Sequence, residues 1–154
     1  MTQMLHLAGP ADLDRIEGMM ALCHAETGTE SDASARRAAL APLLDGSPHG
    51  AVWLVGPRMA SVGYLAIGFG WSLEAGGLAG TVEDFWIREK VRGRGMGSEA
   101  LSAAMSALRD AGLCALHLRL PDERPGERTA RRLGFRRRGE RLMTWAPGAP
   151  ILAK

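Results

Sequence analysis

Apolar positions along this chain recur at two spacings, and the switch between them marks out the elements. Leu13, Ile16, Met20 and Cys23 or His24 fall at helical intervals after Gly9-Pro10-Ala11-Asp12, a sequence suited to a helix's first turn. Residues 26–31 read as a loop. Asp32 or Ser31 then caps a second helix running to about Leu44, where Asp45-Gly46-Ser47-Pro48 stops it. Short apolar runs at Met4–Leu7, Ala51–Val55, Ser61–Phe69 and Gly80–Ile87 read as strands. Gly56-Pro57-Arg58 makes a hairpin turn, and Gly70–Gly77 a glycine-rich connection. Helical spacing returns at Leu101, Ala104, Met105 and Leu108 and stops at Gly112. A strand follows between Cys114 and Leu120, with Ala115-Leu116-His117-Leu118 as its buried part. A meander of antiparallel strands followed by a strand–loop–helix–strand crossover predicts a mixed sheet in one α/β domain. At 154 residues the chain is long enough to bury a real core.

The turn Val91-Arg92-Gly93-Arg94-Gly95-Met96-Gly97-Ser98-Glu99 joins the Gly80–Ile87 strand to the helix that begins near Gly95. Free N–H groups and the positive end of a helix dipole make such a junction an anion site. Alternating glycines let the backbone approach a pyrophosphate, and Arg92 and Arg94 add charge. The spacing excludes better-known phosphate loops. The sixth position from Gly93 is Ser98, which breaks the dinucleotide fingerprint, and no Gly-Lys-Ser/Thr triplet is present.

Arg92-x-x-Gly95-x-Gly97 after Phe85-Trp86-Ile87 resembles the acyl-CoA-binding motif of the GNAT superfamily of N-acetyltransferases. Downstream, Arg131-Arg132-Leu133-Gly134-Phe135 resembles the family's segment ending in Leu-Gly-Phe, after which a further strand is expected. The motif core covers about residues 81–136, and a looser likeness covers nearly the whole chain. Glu83-Asp84-Phe85 followed by the Arg92–Glu99 turn is also similar to the spermidine/spermine acetyltransferase branch. The resemblance implies a sheet splayed at the central strand with helices on both faces. It also implies a substrate cleft walled by the first two helices, and acetyl-CoA as donor cosubstrate. Cofactor contacts are expected from Phe85 and Ile87 through their backbone, from Arg92, Gly93, Arg94, Gly95, Met96, Gly97 and Ser98, and from Arg128.

Transfer of an acetyl group to an amine requires a neutral nucleophile, so a base or a water path must take its proton. Glu83 and Asp84 are adjacent in the central strand, and strand alternation predicts opposite faces, with Glu83 sharing its face with Phe85 and Ile87. A carboxylate inside a sheet is costly unless solvated, paired or functional. Glu83 is the base candidate and Asp84 a substrate contact, as in the polyamine branch; pairing of Glu83 with a nearby arginine is the structural alternative. Glu74, in the glycine-rich connection, and Trp71, through cation–π contact, are further substrate-binding candidates.

Charge is divided unevenly: residues 1–87 carry a net −6 and residues 88–141 a net +7. A basic half suits a polyphosphate cofactor and an acidic half a small cationic amine. The arginine cluster near residues 124–138 lacks interleaved aromatics, so nucleic acid is not the expected partner. Cys23 and Cys114 make no disulfide framework, and Cys114 reads as a small core residue. The four histidines show no metal spacing, so no metal is expected, and His24 is a minor cleft candidate. No apolar run is long enough to span a membrane and no leader pattern opens the chain, so a cytoplasmic protein is the default.

One departure from the family stands out. Aligned on Gly134-Phe135, the family's asparagine falls at Glu123 and its tyrosine, a proton donor to the CoA thiolate, falls at Ala130. The chain's one tyrosine is Tyr64, and Thr129 is a weak substitute. The expected activity is direct acetyl transfer to a primary amine, the alternative a non-catalytic acyl-CoA-binding protein. A homodimer is possible on the family's habit.

Overall fold

Among the described residues, five strands pair in the order in which they occur in the chain. The computed structural model describes residues 4–120 and 126–148; Glu123 and Arg124 lie outside them. β1 (Leu5–Leu7), β2 (Gly50–Val55), β3 (Gly63–Ser72) and β4 (Gly77–Ile87) form an antiparallel meander. β5 (Ala115–Leu118) then adds parallel to β4. A parallel neighbour needs a crossover, and α3 (Met96–Asp110) supplies it. α1 (Leu13–Thr27) and α2 (Ala33–Leu44) fill the connection between β1 and β2, and α4 (Gly126–Arg132) follows β5.

Local chemistry sets the helix ends. Asp12 accepts the Gly9 N–H at 3.0 Å ahead of α1. Gly28 ends that helix with φ +68°, a conformation that favours glycine. The residue that caps α2 is Asp32, whose carboxylate accepts the Ala35 N–H at 2.7 Å.

Alternation of side chains along the strands builds a core on each face of the sheet. Ile16, Met19, Cys23, Leu40 and Leu44 of α1 and α2 pack on Val52, Leu54, Tyr64, Ala66 and Trp86. Ala100, Leu101, Ala104 and Leu108 of α3 pack on Val55, Leu65, Ile67 and Val82 on the opposite face. Helices therefore cover both faces, as expected. Each fully buried aliphatic side chain stabilises by about 1.5–3 kcal/mol.

The sheet splays where two pairings end at different places. β4 stays paired to β3 as far as Gly63 opposite Ile87. Its pairing with β5 stops at Val82 opposite Leu118. The β5-facing edge of residues 83–87 thus has no strand partner among the described residues. At the same point the β3–β4 register slips: Ala66 faces Asp84 while Ile67 faces Val82, leaving Glu83 as an extra, bulged residue.

Four expectations are corrected. β3 runs on to Ser72 and β4 starts at Gly77, so Trp71 is a strand residue opposite Leu78 and the connection shrinks to residues 73–76. α1 extends through Thr27, two residues into the expected loop. No strand follows Phe135 among the described residues; residues 136–148 carry no regular structure, and Leu142, Met143 and Trp145 are exposed. Cys114 precedes the edge strand and is exposed, with its sulfur against Gly77, where a Cβ would sit 2.6 Å away. No described helix is long and apolar enough to cross a membrane.

The two thiols should differ sharply in reactivity. Cys23 is buried, and burial first, then the Asp84 charge, push its thiol up to about 11. Maleimide labelling of the native protein near pH 7.5 should modify Cys114 alone, with Cys23 reacting only after denaturation. Mass spectrometry of the labelled chain checks this.

Candidate active site

The bulge decides which way the two carboxylates face. In a regular strand Glu83 and Asp84 would lie on opposite faces. With Glu83 as the extra residue, both turn to the α1–α2 face. Asp84 pairs with Ala66 of that core, and a Cβ built on Gly68 would lie 3.5 Å from the Glu83 side chain. Phe85 and Ile87 pack on the α3 face. The expectation that Glu83 shares a face with Phe85 and Ile87 is therefore corrected, because one inserted residue resets the alternation.

Glu83 is half exposed, and both of its carboxylate oxygens accept from Arg119 Nη2, at 3.0 and 3.1 Å. Arg119 follows the last paired residue of β5, so this ion pair spans the first unpaired position at the apex of the splay. The arginine-paired alternative for Glu83 is thus realised in this state. Glu83 also borders a cavity of about 420 Å³ with Gly68, Gly70, Trp71, Ser72, Thr81 and His117. The glycines leave the sheet surface bare here, and Trp71, exposed at the rim, alternates with Ile67 and Phe69 to the α3 side.

Asp84 sits in a more enclosed setting, its side chain 21% exposed. Oδ2 accepts from the Tyr64 hydroxyl at 2.8 Å and lies 3.2 Å from His24 Nε2. A carboxylate has no proton to give, so His24 Nε2–H is the donor. The other ring nitrogen, Nδ1, lies 2.7 Å from Ser31 Oγ, and that oxygen also accepts from Arg36 Nη1 at 3.2 Å. His24 carried only a minor signal in the sequence; its partners are 7 and 60 residues away. Both acceptor sites used on Asp84 are on Oδ2, which leaves Oδ1 without a partner among the described residues. Tyr64 is fully buried, and burial followed by the Asp84 charge raises its hydroxyl far above the ordinary value. It therefore stays a proton donor.

The glycine–arginine turn has the backbone of an anion cradle. Gly93 and Gly95 adopt φ +76° and +81°, with no atom within 4 Å of where a side chain would start. Gly95 caps α3 without a side-chain acceptor. The N–H groups of the helix's first turn, Met96, Gly97 and Ser98, have no partner among the described residues. Gly97 lies over Phe85 and Ile87, with its Cβ position 3.6 and 3.8 Å from them, so the turn and the open strand edge adjoin.

The remaining candidates are dispersed. Arg94 and Arg128 are exposed and form no ion pair among the described residues. Arg92 does not face the turn: its guanidinium is held by Glu26 and the Ile87 carbonyl. Glu74, at the hairpin tip, is 73% exposed and pairs with Arg138 at 2.7 Å. Ala130, at the family's tyrosine position, is buried at 4% exposure.

The acetyltransferase (GNAT) family matches residues 16–135 of this chain. No curated protein has a matching sequence. Among solved structures, an integron cassette protein from the mobile metagenome of Cole Harbour Salt Marsh is 32% identical, with 96% of this chain and 93% of that one covered at a TM-score of 0.83. An aminoglycoside N-acetyltransferase in complex with CoA is 14% identical, with 92% of each chain covered and a TM-score of 0.76. A ribosomal-protein-alanine N-acetyltransferase from Brucella melitensis biovar Abortus 2308 is 13% identical, covering 92% of this chain and 99% of that one at 0.71.

Two outcomes follow from the Asp84 network. Tyr64→Phe removes one donor from a partly buried carboxylate and should destabilise the protein by about 1–3 kcal/mol, read by urea unfolding. Cys23 and Tyr64 both hold their protons to higher pH folded than unfolded, so the unfolded chain sheds them first. Stability should be whole below the ordinary thiol value of 9.0 and fall as pH rises through the Cys23 value of about 11. Unfolding midpoints from pH 7 to 11 check the sign.

Proposed function

The chain belongs to the GNAT acetyltransferase family, and from this we propose that it is an acetyl-CoA-dependent N-acetyltransferase acting directly on a small cationic primary amine. The observation that carries the reading is the splay itself. An unpartnered strand edge at residues 83–87 adjoins an uncapped helix N-terminus on one side. Two carboxylates lie on the α1–α2 face.

The donor fits these residues. Pantetheine is amide-rich and pairs with an open strand edge as a further strand would. The Phe85–Ile87 backbone supplies that edge, and an N–H there polarises the thioester carbonyl. The turn from Gly93 to Ser98 offers N–H groups to the pyrophosphate, with Arg94 and Arg128 as exposed cations for phosphate oxygens.

The acceptor enters from the opposite face, over the trough beside Glu83. Asp84 Oδ1 holds the ammonium form, and Trp71, which alternates with Phe69 to the α3 side, is an exposed aromatic at the rim for the far end of a longer cation. Glu83 takes the proton from nitrogen, directly or through one water, once its half-exposed partner Arg119 swings toward solvent. The amine nitrogen then bonds to the acetyl carbon, the carbon–sulfur bond breaks, the thiolate leaves, and the second proton on nitrogen passes to water to give the neutral amide. With Ala130 at the acid's position, solvent returns the proton to sulfur. The direct route agrees with the buried, protonated state of Cys23, which suits no acyl-enzyme.

The acidic first half of the chain supports a cationic acceptor. The local likeness of Glu83-Asp84-Phe85 to the polyamine branch puts diamines and polyamines first. The fold neighbour named as an aminoglycoside N-acetyltransferase makes aminoglycosides the next class to test. Ala130 favours a second reading, an acyl-CoA-binding protein without turnover.

Thiol release from acetyl-CoA with polyamines, aminoglycosides and amino acids separates the two. Turnover above the no-acceptor rate supports the enzyme; tight CoA binding with no turnover on any acceptor favours the binding protein. Given turnover, Glu83→Gln should lower kcat/KM by about 10²-fold or more and leave CoA affinity unchanged. A variant as active as wild type removes Glu83 from the mechanism.

A further inference from the structure

Arg92 stands at the head of the glycine turn, but its side chain runs back to the first helix. Nη2 donates to both oxygens of Glu26, at 2.9 and 2.8 Å, and Nε donates to the Ile87 carbonyl at 2.7 Å. Trp86 Nε1 donates to the same Glu26 at 3.2 Å, and the guanidinium carbon lies 6.0 Å from the Trp86 ring centre. Glu26 belongs to the last turn of α1, the helix that also sends His24 to Asp84. One helical turn therefore grips both the acceptor-side carboxylate and the start of the cofactor turn.

We propose that Glu26 is a positioning residue for the acyl-CoA donor: by clasping Arg92 it holds the Gly93–Gly95 turn in its anion-receiving conformation before the pyrophosphate arrives. The inference rests on the acyl-CoA reading of that turn. Its physical basis is conformational entropy. Gly93 and Gly95 have no side chains to restrain them, so an unanchored turn would lose much of its freedom on binding. Arg92 precedes them with φ −68° and ψ 159°, an extended conformation pinned at both ends of its guanidinium. With Nη2 on both Glu26 oxygens and Nε on the Ile87 carbonyl, the planar guanidinium is fixed in direction as well as attracted. The pair is only about 60% covered, its side chains 41% and 39% exposed, so its worth lies in ordering the turn rather than in global stability.

Charge alone predicts the reverse result, and this makes the test sharp. Glu26→Gln removes a negative charge from the neighbourhood of an anion site and frees an arginine, so simple electrostatics calls for tighter CoA binding. The clasp calls for weaker binding. Isothermal titration with CoA should show affinity reduced about fivefold in Glu26→Gln and equally in Arg92→Lys, which keeps the charge but cannot hold Glu26 and the Ile87 carbonyl at once. The double variant should be no weaker than either single one, since both break the same contact. In the free protein, the NMR order parameters of the Gly93 and Gly95 amides should fall in both variants while the global unfolding midpoint hardly moves. Equal or tighter CoA binding by Glu26→Gln, or unchanged order parameters at the two glycines, would overturn the proposal. A wild type that fails to bind CoA would instead sink the acyl-CoA reading, and the order parameters would still decide whether the clasp orders the turn.

Discussion

One surplus residue in β4 organises everything around the site. Opposite Ala66 and Ile67 the strand offers three residues, Val82, Glu83 and Asp84, where two would match. The excess bends the strand and ends its partnership with β5 at Val82. It also resets the side-chain alternation, so that two successive carboxylates share a face while Phe85 and Ile87 turn to the other. An open backbone edge and a pair of carboxylates on the acceptor side are thus two consequences of one slip in register.

The two carboxylates have different surroundings. Asp84 is tucked under α1, its Oδ2 saturated by Tyr64 and His24, and it is held as a fixed acceptor. Glu83 lies over a glycine-bare trough and is met by Arg119, a half-exposed partner that solvent can compete for. A fixed carboxylate suits recognition of a cation, and a mobile, solvated one suits proton transfer. The resemblance assigned these roles in the same sense, and the surroundings give them a physical reason.

α1 links the two halves of the site. Within its last turn, His24 reaches Asp84 and Glu26 reaches Arg92. The helix is fixed in turn by its apolar residues on the sheet. A short polar stretch on a well-packed helix thereby carries the rigidity of the core to a glycine turn that has little of its own. Ala130 in α4 is buried at 4% exposure, so a small inward-facing side chain stands at the family's tyrosine position.

Much of this was legible along the chain. Helical and strand periods, caps and glycine stops are local signals, and they predicted the order of the elements and the mixed sheet. The Gly93 and Gly95 turn was legible because left-handed backbone is a property of single residues. Where prediction failed, the cause was an interaction between distant segments. The bulge at Glu83 exists only relative to the register of β3. Arg92 read as a phosphate ligand because its partner Glu26 lies 66 residues earlier in the chain. Cys114 read as core because its strand was taken as internal, whereas β5 is the edge strand among the described residues. The residues themselves determined which conformations and which chemical groups were available. Folding decided which groups meet, because a contact across 60 residues depends on how the helices and strands pack and leaves no periodic trace in either segment.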